Sequence, residues 1–459
     1  MYLLYNDRII SCAIVVIIQA ILLLVVRKVI SKKVQKRWYG KSQIIIGVLV
    51  VILVCTGYFG KRVSIEKADT TVYTVKELKE DMEQLEHIIF TKAPLYYADK
   101  EKLRQDFDRV KASIQDGMTE EEFYRLINPL VVQTLCGHTN LSISRALQEN
   151  RKGRAIFFPI VVRVHDNQLV VANNQKEYGV EEGDVIESIN GRDAADIIST
   201  LLRNISHDGD NDAIGYYTLN QYFAVKYYDF IDQSQSYEVE YHDANGELKN
   251  ITVEAISKEE WNVNAWDLKM KSYEDGNYYD YTMEEDRATL RIHVFMEEKK
   301  SFSKFLKEFF TAVKEKGIHH ITIDVQGNYG GDAKMAKELL SYLITEDMEY
   351  FKGKLPFIMK VLGYDRTVKA KNSLIDFETE LLVDGGDFST CAHFVSIYKS
   401  LGLGQVIGKN TGGGSICTDG SKNTVLRNTG IRLHYSTTVF QVNSSLDRTN
   451  VVEPDRYVE

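Results

Sequence analysis

Three short segments of the sequence combine residue types that can carry out nucleophilic chemistry. The first, Cys136-Gly137-His138-Thr139, holds a histidine, the side chain best suited to act as a base near neutral pH. The second, IDVQGNYGGD, places Gly330-Gly331 after an apolar stretch, and the third, LLVDGGDFSTCAHF, places Ser389 after another. Free N–H groups at a helix start can stabilise an oxyanion beside a serine nucleophile. Taken alone, however, Ser389 is more often a helix cap and His138 a structural histidine.

The last two segments fall at junctions between strands and helices. Residues 285–459 alternate between apolar strands and amphipathic helices, in the order RATLRIHVF, Phe302–Glu315, HHITIDV, Ala333–Ile344, TELLVD, Ser389–Ser400 and QVIG. This alternation predicts crossover units and a largely parallel sheet. Because ligands collect at the carboxyl ends of the strands in such sheets, Gly330-Gly331 and Ser389 are expected at the same edge.

Two other regions precede the alternating part. Residues 75–130 show apolar positions at spacings of three and four, and the pairs Thr74/Glu77 and Thr119/Glu122 are typical of helix capping boxes. Residues 155–257 change to a period of two. There Val185–Ile189 reads as a strand that ends at an Asn190-Gly191 turn. The sequence therefore predicts a helical region followed by a small β-rich module.

The N-terminal 62 residues are apolar and basic. Ile9–Val26 and Ile44–Phe59 each approach the length that crosses a bilayer, and the loop between them carries seven Lys/Arg and no acid. The positive-inside rule then predicts two membrane-spanning helices, a cytoplasmic loop and an extracytoplasmic part from about Lys61, at the plasma membrane. One alternative is a cleaved signal peptide, but the sequence has no cleavage motif after Val26. The other is a buried helical hairpin, which would not explain why the cations cluster in the loop.

Composition excludes several classes of function. The first 62 residues hold ten of the 56 Lys/Arg and one of the 65 Asp/Glu, so the rest of the chain has a net charge of −18. Such an acidic chain argues against a nucleic-acid partner. Five cysteines in 459 residues exclude a disulfide scaffold. The histidines show no metal-binding spacing, and residues 208–213 lack the glycine and glutamate of a calcium loop. No metal and no cofactor is expected.

In combination, the motifs resemble a known family. The chain carries, in one order, GHT, then G-D-V-I-x-S-I-N-G, I-D-x-x-x-N-x-G-G, V-D-G-G-x-F-S, I-G-x-x-T-G-G and V-x-P-D. This series, from about residue 75 to the C-terminus, resembles the C-terminal processing peptidases, also called tail-specific proteases, and their tricorn-like branch. The resemblance implies a crotonase-like (ClpP-like) catalytic core and a PDZ-like module.

The resemblance also implies roles for individual residues. Ser389 matches the nucleophile, and His138 matches the base of the tricorn-like, Ser–His branch. The oxyanion hole corresponds to the backbone N–H of Thr390 with that of Gly330 or Gly331. Within the PDZ-like module, which would bind an extended peptide as an added strand, the matching substrate-binding residues are Gly183, Asp184, Val185 and Ile186.

The sequence departs from the family pattern in two places. The Ser–Lys branch has lysine in a T-x-G-K-G segment, where this chain has Gly414, which favours His138 as the base. The acid that would orient the histidine precedes V-x-P-D, and Asp447 is the candidate there. Cys391 is a rival nucleophile on another helix face, and His393 lies one turn above Ser389. A Cys136–Cys391 bridge is an open alternative.

Taken together, the sequence predicts a membrane-anchored α+β and α/β multidomain protein. Its parts would be a two-helix anchor (1–62), a helical region with the GHT motif (70–150), a PDZ-like module (155–257) and an α/β serine peptidase core (280–459). The predicted function is a serine endopeptidase that acts on extended or unfolded protein segments, with a protein or peptide substrate and the membrane as partners. The alternative is a catalytically inactive homologue that binds peptides or apolar ligands.

Overall fold

The computed structural model describes residues 71–172, 178–264, 276–296, 298–371 and 377–458. From residue 70 onward the chain forms one compact unit, which contains two hydrophobic cores. The first core joins the helical region to the β-rich module, and the second lies under the alternating C-terminal part.

The helical region is held to the C-terminal part by a buried carboxylate. Both expected capping boxes are present, at Thr74/Glu77 and Thr119/Glu122. In the first helix, Asp81 accepts hydrogen bonds of 2.8 Å from the backbone N–H groups of Asn428 and Thr429. The elements of this region are β1 (Val72–Tyr73), α1 (Val75–Lys92), α2 (Lys100–Ser113), β2 (Met118–Thr119), α3 (Glu120–Val132), β3 (Asn140–Ser142) and α4 (Arg145–Arg151).

The β-rich module is an antiparallel sheet covered by two helices. Its strands lie in the order β10-β9-β7-β6-β5, with β8 paired to β7, and β4 pairs with β11 beside it. The predicted strand Val185–Ile189 is therefore in the interior of the sheet. The elements are β4 (Ile156–Phe157), β5 (Val162–His165), β6 (Gln168–Val171), β7 (Val185–Ile189), β8 (Arg192–Asp193), α5 (Ala194–Leu202), α6 (Ala213–Phe230), β9 (Ser236–His242), β10 (Leu248–Glu254), β11 (Ile256–Ser257) and α7 (Lys258–Asn264).

The C-terminal part contains the expected parallel sheet. Its order is β12-β13-β14-β15-β16-β21, and every pair is parallel except the antiparallel pair β12–β13. The elements are β12 (Tyr279–Met283), β13 (Arg287–Ile292), α8 (Lys299–Lys316), β14 (His320–Asp324), α9 (Ala333–Leu343), α10 (Phe357–Val361), β15 (Glu378–Val383), α11 (Thr390–Ser400), β16 (Gln405–Gly408) and β21 (Arg456–Tyr457).

Two hairpins that the sequence analysis did not predict lie between β16 and β21. They consist of β17 (Ile416–Asp419), β18 (Lys422–Val425), β19 (Arg432–Tyr435) and β20 (Thr438–Gln441). β17 pairs with β20, while β19 pairs with both β18 and the distant β3. The segment that carries His138 is thereby attached to the C-terminal part, 290 or so residues further along the chain.

The fold-class prediction needs one correction, which concerns the membrane anchor. Across the described ranges, no helix is both long enough and apolar enough to cross a bilayer, so the structure does not support two membrane-spanning helices or a membrane partner. The longest helices, such as α1, bury one apolar face and carry charged residues on the other, because they pack on one side against the protein. The two predicted spans, residues 9–26 and 44–59, lie outside the described residues. The described chain is a mixed α/β fold.

Candidate active site

Two neighbouring parallel strands bring the candidate residues to one edge of the sheet. β14 ends at Asp324, which lies opposite Leu382 near the end of β15. The loop after β14 contains Gly330-Gly331, and the loop after β15 contains Ser389. Asn328 joins the two loops: its backbone oxygen accepts a 3.0 Å bond from Phe388 N–H, and its side chain donates a 2.8 Å bond to the oxygen of Ile292. The carboxyl edge of the sheet therefore holds both loops in fixed positions.

Ser389 stands at the start of α11 without capping it. Its φ of 54° and ψ of −122° lie in a region that residues other than glycine rarely occupy, and its side chain makes no capping bond. The Oγ atom instead lies 3.0 Å from Nε2 of His138. A strained backbone at an accessible serine that contacts a histidine is typical of a reactive centre rather than of a helix cap.

Aromatic packing fixes the plane of the His138 ring. The ring stacks on Phe388, the residue before Ser389, with centroids 4.6 Å apart and an angle of 27° between the planes. Gly137 permits this approach, because a Cβ atom at that position would come within 2.4 Å of the Phe388 ring. Sequence analysis missed Phe388, although it belongs to the same motif as Ser389.

Burial and nearby charges act on His138 in opposite directions. Burial lowers the pKa of His138, a neighbouring Asp419 carboxylate raises that pKa, and His434 lowers it. Burial has the largest effect, so the ring is neutral at neutral pH and its Nε2 can accept a proton. Its other nitrogen, Nδ1, is buried and has no hydrogen-bond partner in the described part of the chain.

The structure does not bring Asp447 to His138. Asp447 is exposed, and no hydrogen bond links it to Nδ1 of the ring. The acid that acts on His138 is Asp419, at the end of β17, and it does so through charge alone. Its Oδ1 accepts bonds from the backbone N–H (3.3 Å) and Oγ (2.7 Å) of Ser421. No sequence motif marks Asp419, because its position depends on how the hairpins pack.

The glycine pair forms a tight wall beside the serine. Gly330 has a φ of 103°, and a Cβ atom there would lie 2.8 Å from the backbone N of Thr390 and 2.9 Å from Cβ of Ser389. Its own N–H donates a 2.8 Å bond to Oδ1 of Asn328. Within the described residues, the N–H groups of Gly331 and Thr390 have no such partner. These two groups, rather than that of Gly330, are available to an oxyanion.

The position of Gly414 has no room for a lysine. A Cβ atom at Gly414 would come within 2.4 Å of the Thr449 oxygen and within 2.6 Å of the Val451 nitrogen. The chain therefore could not accommodate a Ser–Lys arrangement at this site without moving the backbone. Lys409, the other lysine considered, is exposed.

The cysteines and the second histidine considered as alternative reactive groups are buried. Cys391 is completely buried, and Cys136, Cys391 and Cys417 are all free thiols, so the Cys136–Cys391 bridge is absent. Burial and the charge of Asp208 raise the pKa of Cys136, which makes its thiol a poor nucleophile. His393 is also buried, next to Phe351, and burial lowers its pKa to about 3. No metal-binding cluster is found among the described residues.

The residues matched to peptide binding lie away from any free edge. Val185 and Ile186 in β7 pair with β6 on one side and β9 on the other, so both sets of backbone groups are occupied. Gly183 and Asp184 form the turn before the strand, with Gly183 N–H bonded to the Val171 oxygen at 3.0 Å. The free edges of this sheet belong to β5 and β10.

Comparison with known proteins gives a family match for the C-terminal part of the chain. Residues 286–458 match the family model of peptidase family S41. The fold is similar to that of mature CPAF complexed with lactacystin, with 13% identity and a TM-score of 0.60, over 83% of this chain and 94% of that chain. A crystal structure of a CPAF mutant has 12% identity and a TM-score of 0.58, over 84% of this chain and 93% of that chain.

The photosystem II D1 C-terminal processing protease has 14% identity and a TM-score of 0.43, over 83% of this chain and 93% of that chain. No curated protein is similar enough to count as a match. At such low identities the two CPAF structures show a shared fold, and the family model supplies the family match for residues 286–458. Through residues 286–458, the chain matches peptidase family S41, a family of serine peptidases, and this match supports the resemblance to the C-terminal processing peptidases.

Proposed function

We propose that this protein is a serine endopeptidase of the tricorn-like, Ser–His type, with Ser389 as the nucleophile and His138 as the general base. The observation that carries the proposal is the 3.0 Å contact between Ser389 Oγ and His138 Nε2, made by a serine with a strained backbone. The absence of space for a lysine at Gly414 supports the same assignment. Substrates would be extended or unfolded protein segments.

The proposed reaction has two halves. In the first, Ser389 Oγ attacks the carbonyl carbon of a peptide bond while His138 Nε2 takes the Oγ proton, and the N–H groups of Gly331 and Thr390 stabilise the oxyanion. The imidazolium then protonates the leaving amine, and an acyl-enzyme remains. In the second half, His138 removes a proton from water, which attacks the acyl carbon, and His138 then returns the proton to Ser389 Oγ as the carboxylic acid product leaves.

Two features of the protein around the site support this substrate class. Ser389 is partly accessible at the open edge of the sheet, and the β-rich module offers the edges of β5 and β10. Backbone pairing with such an edge requires an extended segment, because a folded helix or sheet has already used those groups. The extracytoplasmic location predicted from the sequence stays a prediction.

Covalent labelling tests the nucleophile. A fluorophosphonate probe should label the full chain at Ser389, and the same protein should cleave an unfolded protein such as reduced, alkylated casein while leaving a stable folded protein intact. The Ser389→Ala variant should show neither activity. Binding of an unfolded peptide without labelling or cleavage would contradict the proposal and favour the non-catalytic alternative.

The pH dependence of catalysis tests the base. Because burial lowers the pKa of His138 below its ordinary value of 6.5, the neutral ring persists into mildly acidic solution. We expect the main loss of kcat/KM on acidification to occur below pH 6.5, where the ring takes up a proton and stops acting as a base. The measurement is hydrolysis of a small activated ester between pH 4.5 and 9. A main loss centred above pH 7.5 would contradict the assignment of His138.

A further inference from the structure

The loop of residues 206–209, which belongs to the β-rich module, contacts the His138 segment on both sides of the histidine. Gly137 N–H donates a 2.7 Å bond to Oδ1 of Asp208, and Ser206 Oγ donates a 2.7 Å bond to the oxygen of Thr139. A third bond, of 3.1 Å, runs from Gly209 N–H to the oxygen of Leu135. The three residues of the histidine segment that make these bonds, Leu135, Gly137 and Thr139, lie on both sides of His138 in the chain.

The loop is itself attached to the catalytic part. The side-chain amide of Asn450 donates a 3.2 Å bond to the backbone oxygen of Asp208 and a 2.6 Å bond to the carboxylate of Asp210. Asn211 donates a 2.9 Å bond to the Thr411 oxygen and a 2.8 Å bond to the Asn450 oxygen. The loop therefore connects the histidine segment to the same C-terminal part that presents Ser389.

Asp208 is the unusual member of this loop. Its side chain is completely buried, and only one of its carboxylate oxygens has a partner: Oδ1 accepts from Gly137, whereas Oδ2 has none in the described chain. A buried carboxylate with half of its bonds unmade destabilises a fold, so packing alone gives no reason for an acid here. An asparagine would keep the acceptor without the charge.

We infer that Asp208 is a positioning residue for the catalytic base: through the Gly137 N–H it holds the His138 segment so that Nε2 stays within reach of Ser389 Oγ. This inference rests on the proposed function. Asp208 does not touch the reacting atoms, and it acts only through the backbone of the neighbouring residue. The β-rich module thereby contributes to the geometry of the active site.

The charge of Asp208 makes its effect dependent on pH. Burial, with a smaller contribution from Asp419, raises its pKa from 3.8 to about 7, against the lowering effect of the Gly137 bond. The other titratable groups near it are Cys136, Cys417 and Tyr97, whose pKa values are raised by burial and, to a smaller extent, by the charge of Asp208, so that all three stay neutral. Above pH 7 the ionised carboxylate holds the Gly137 N–H more strongly than the neutral acid does.

The decisive experiment compares ester hydrolysis by the wild type, Asp208→Asn and Asp208→Ala in the full-length chain at pH 5.5 and pH 8.5. Asp208→Asn should match the wild type at pH 5.5, where both acceptors are neutral, and fall about 5-fold below it at pH 8.5. Asp208→Ala, which leaves Gly137 N–H unpaired, should lose about 10- to 100-fold in kcat at both pH values with little change in KM. Asp212→Asn, the same change four residues further along the chain, is the control and should behave like the wild type.

Stability separates positioning from a structural role. Since the folded pKa of Asp208 lies above the unfolded one, ionisation costs folding stability increasingly between pH 4 and 7, and fully above pH 7. Asp208→Asn should therefore have a higher Tm than the wild type, with the largest difference at pH 8.5 and a smaller one at pH 5.5. A more stable and less active variant is the expected result. Equal activity of wild type and Asp208→Asn at pH 8.5 would overturn the inference while leaving the Ser389–His138 proposal intact.

Hydrogen exchange gives a readout that needs no activity. Amide exchange in peptides that cover residues 135–140 should be faster in Asp208→Ala than in the wild type and unchanged in Asp212→Asn. Unchanged exchange in Asp208→Ala would overturn the inference even if Ser389 proved not to be a nucleophile. Failure of the wild type to react with a fluorophosphonate would instead count against the proposed function.

Discussion

Replacing His138 with alanine is expected to lower kcat/KM for an activated ester by about 10⁴-fold or more, as is replacing Ser389 with alanine. Each change removes one half of a unit: without Nε2 the hydroxyl stays protonated, and without Oγ no acyl-enzyme forms. The double variant should therefore be little worse than either single variant. Steady-state kinetics of the four proteins, with circular dichroism to verify folding, would measure this non-additivity.

The matched control for His138 is His434. It is a second histidine close enough to affect the pKa of His138, but its Nδ1 lies 2.9 Å from Asn423 Oδ1 and not near the serine. His434→Gln should retain most of the activity. Full activity in His138→Ala would refute the assignment and make a lysine, such as the exposed Lys409, the base to examine.

Gly330→Ala is expected to reduce kcat by about 10²- to 10³-fold while the protein stays folded. The added methyl group would lie 2.8 Å from both the Phe388 oxygen and the Thr390 nitrogen and 2.9 Å from Ser389 Cβ, so the nucleophile and one oxyanion donor must both move. The φ of 103° adds strain of about 1–3 kcal/mol. Burst kinetics with an activated ester would show slower acylation.

Gly117→Ala separates the effect on the site from backbone strain. Gly117 also has a positive φ, of 81°, but a Cβ atom there meets nothing within 4 Å, and the residue lies in a turn of the helical region. This variant should lose stability to a similar extent and keep its kcat. If Gly330→Ala and Gly117→Ala lowered kcat equally, the loss would come from backbone strain and not from the contact of residue 330 with Ser389.

The parts of the site that lie within local motifs could be predicted from the sequence. Ser389 and Gly330-Gly331 each follow a strand of the alternating region, and the strand–helix pattern fixes which edge they share. The two capping boxes and the strand Val185–Ile189 are likewise local, and the structure has them where the spacing places them.

The parts that depend on packing between distant segments could not be predicted. Asp419 acts on His138 from the end of β17, in the segment whose strand β19 pairs with β3, and Asp208 reaches Gly137 from a loop 71 residues further along. The occupied edges of Val185–Ile189 are a third case, because an alternating pattern shows that a strand exists but not its neighbours. Asp447 was predicted from its separation along the sequence from the V-x-P-D motif. That separation does not determine which residues are in contact in the fold.

The two candidate catalytic side chains are 251 residues apart in the chain, and β3, next to His138, pairs with β19, which follows Ser389. During synthesis at about 5–20 residues per second, the histidine segment leaves the ribosome roughly 10 to 50 s before the serine does. In that interval the base has no nucleophile and its strand has no partner. Until β19 has emerged, the growing chain therefore cannot hold the two candidate catalytic side chains in the arrangement that the complete chain has.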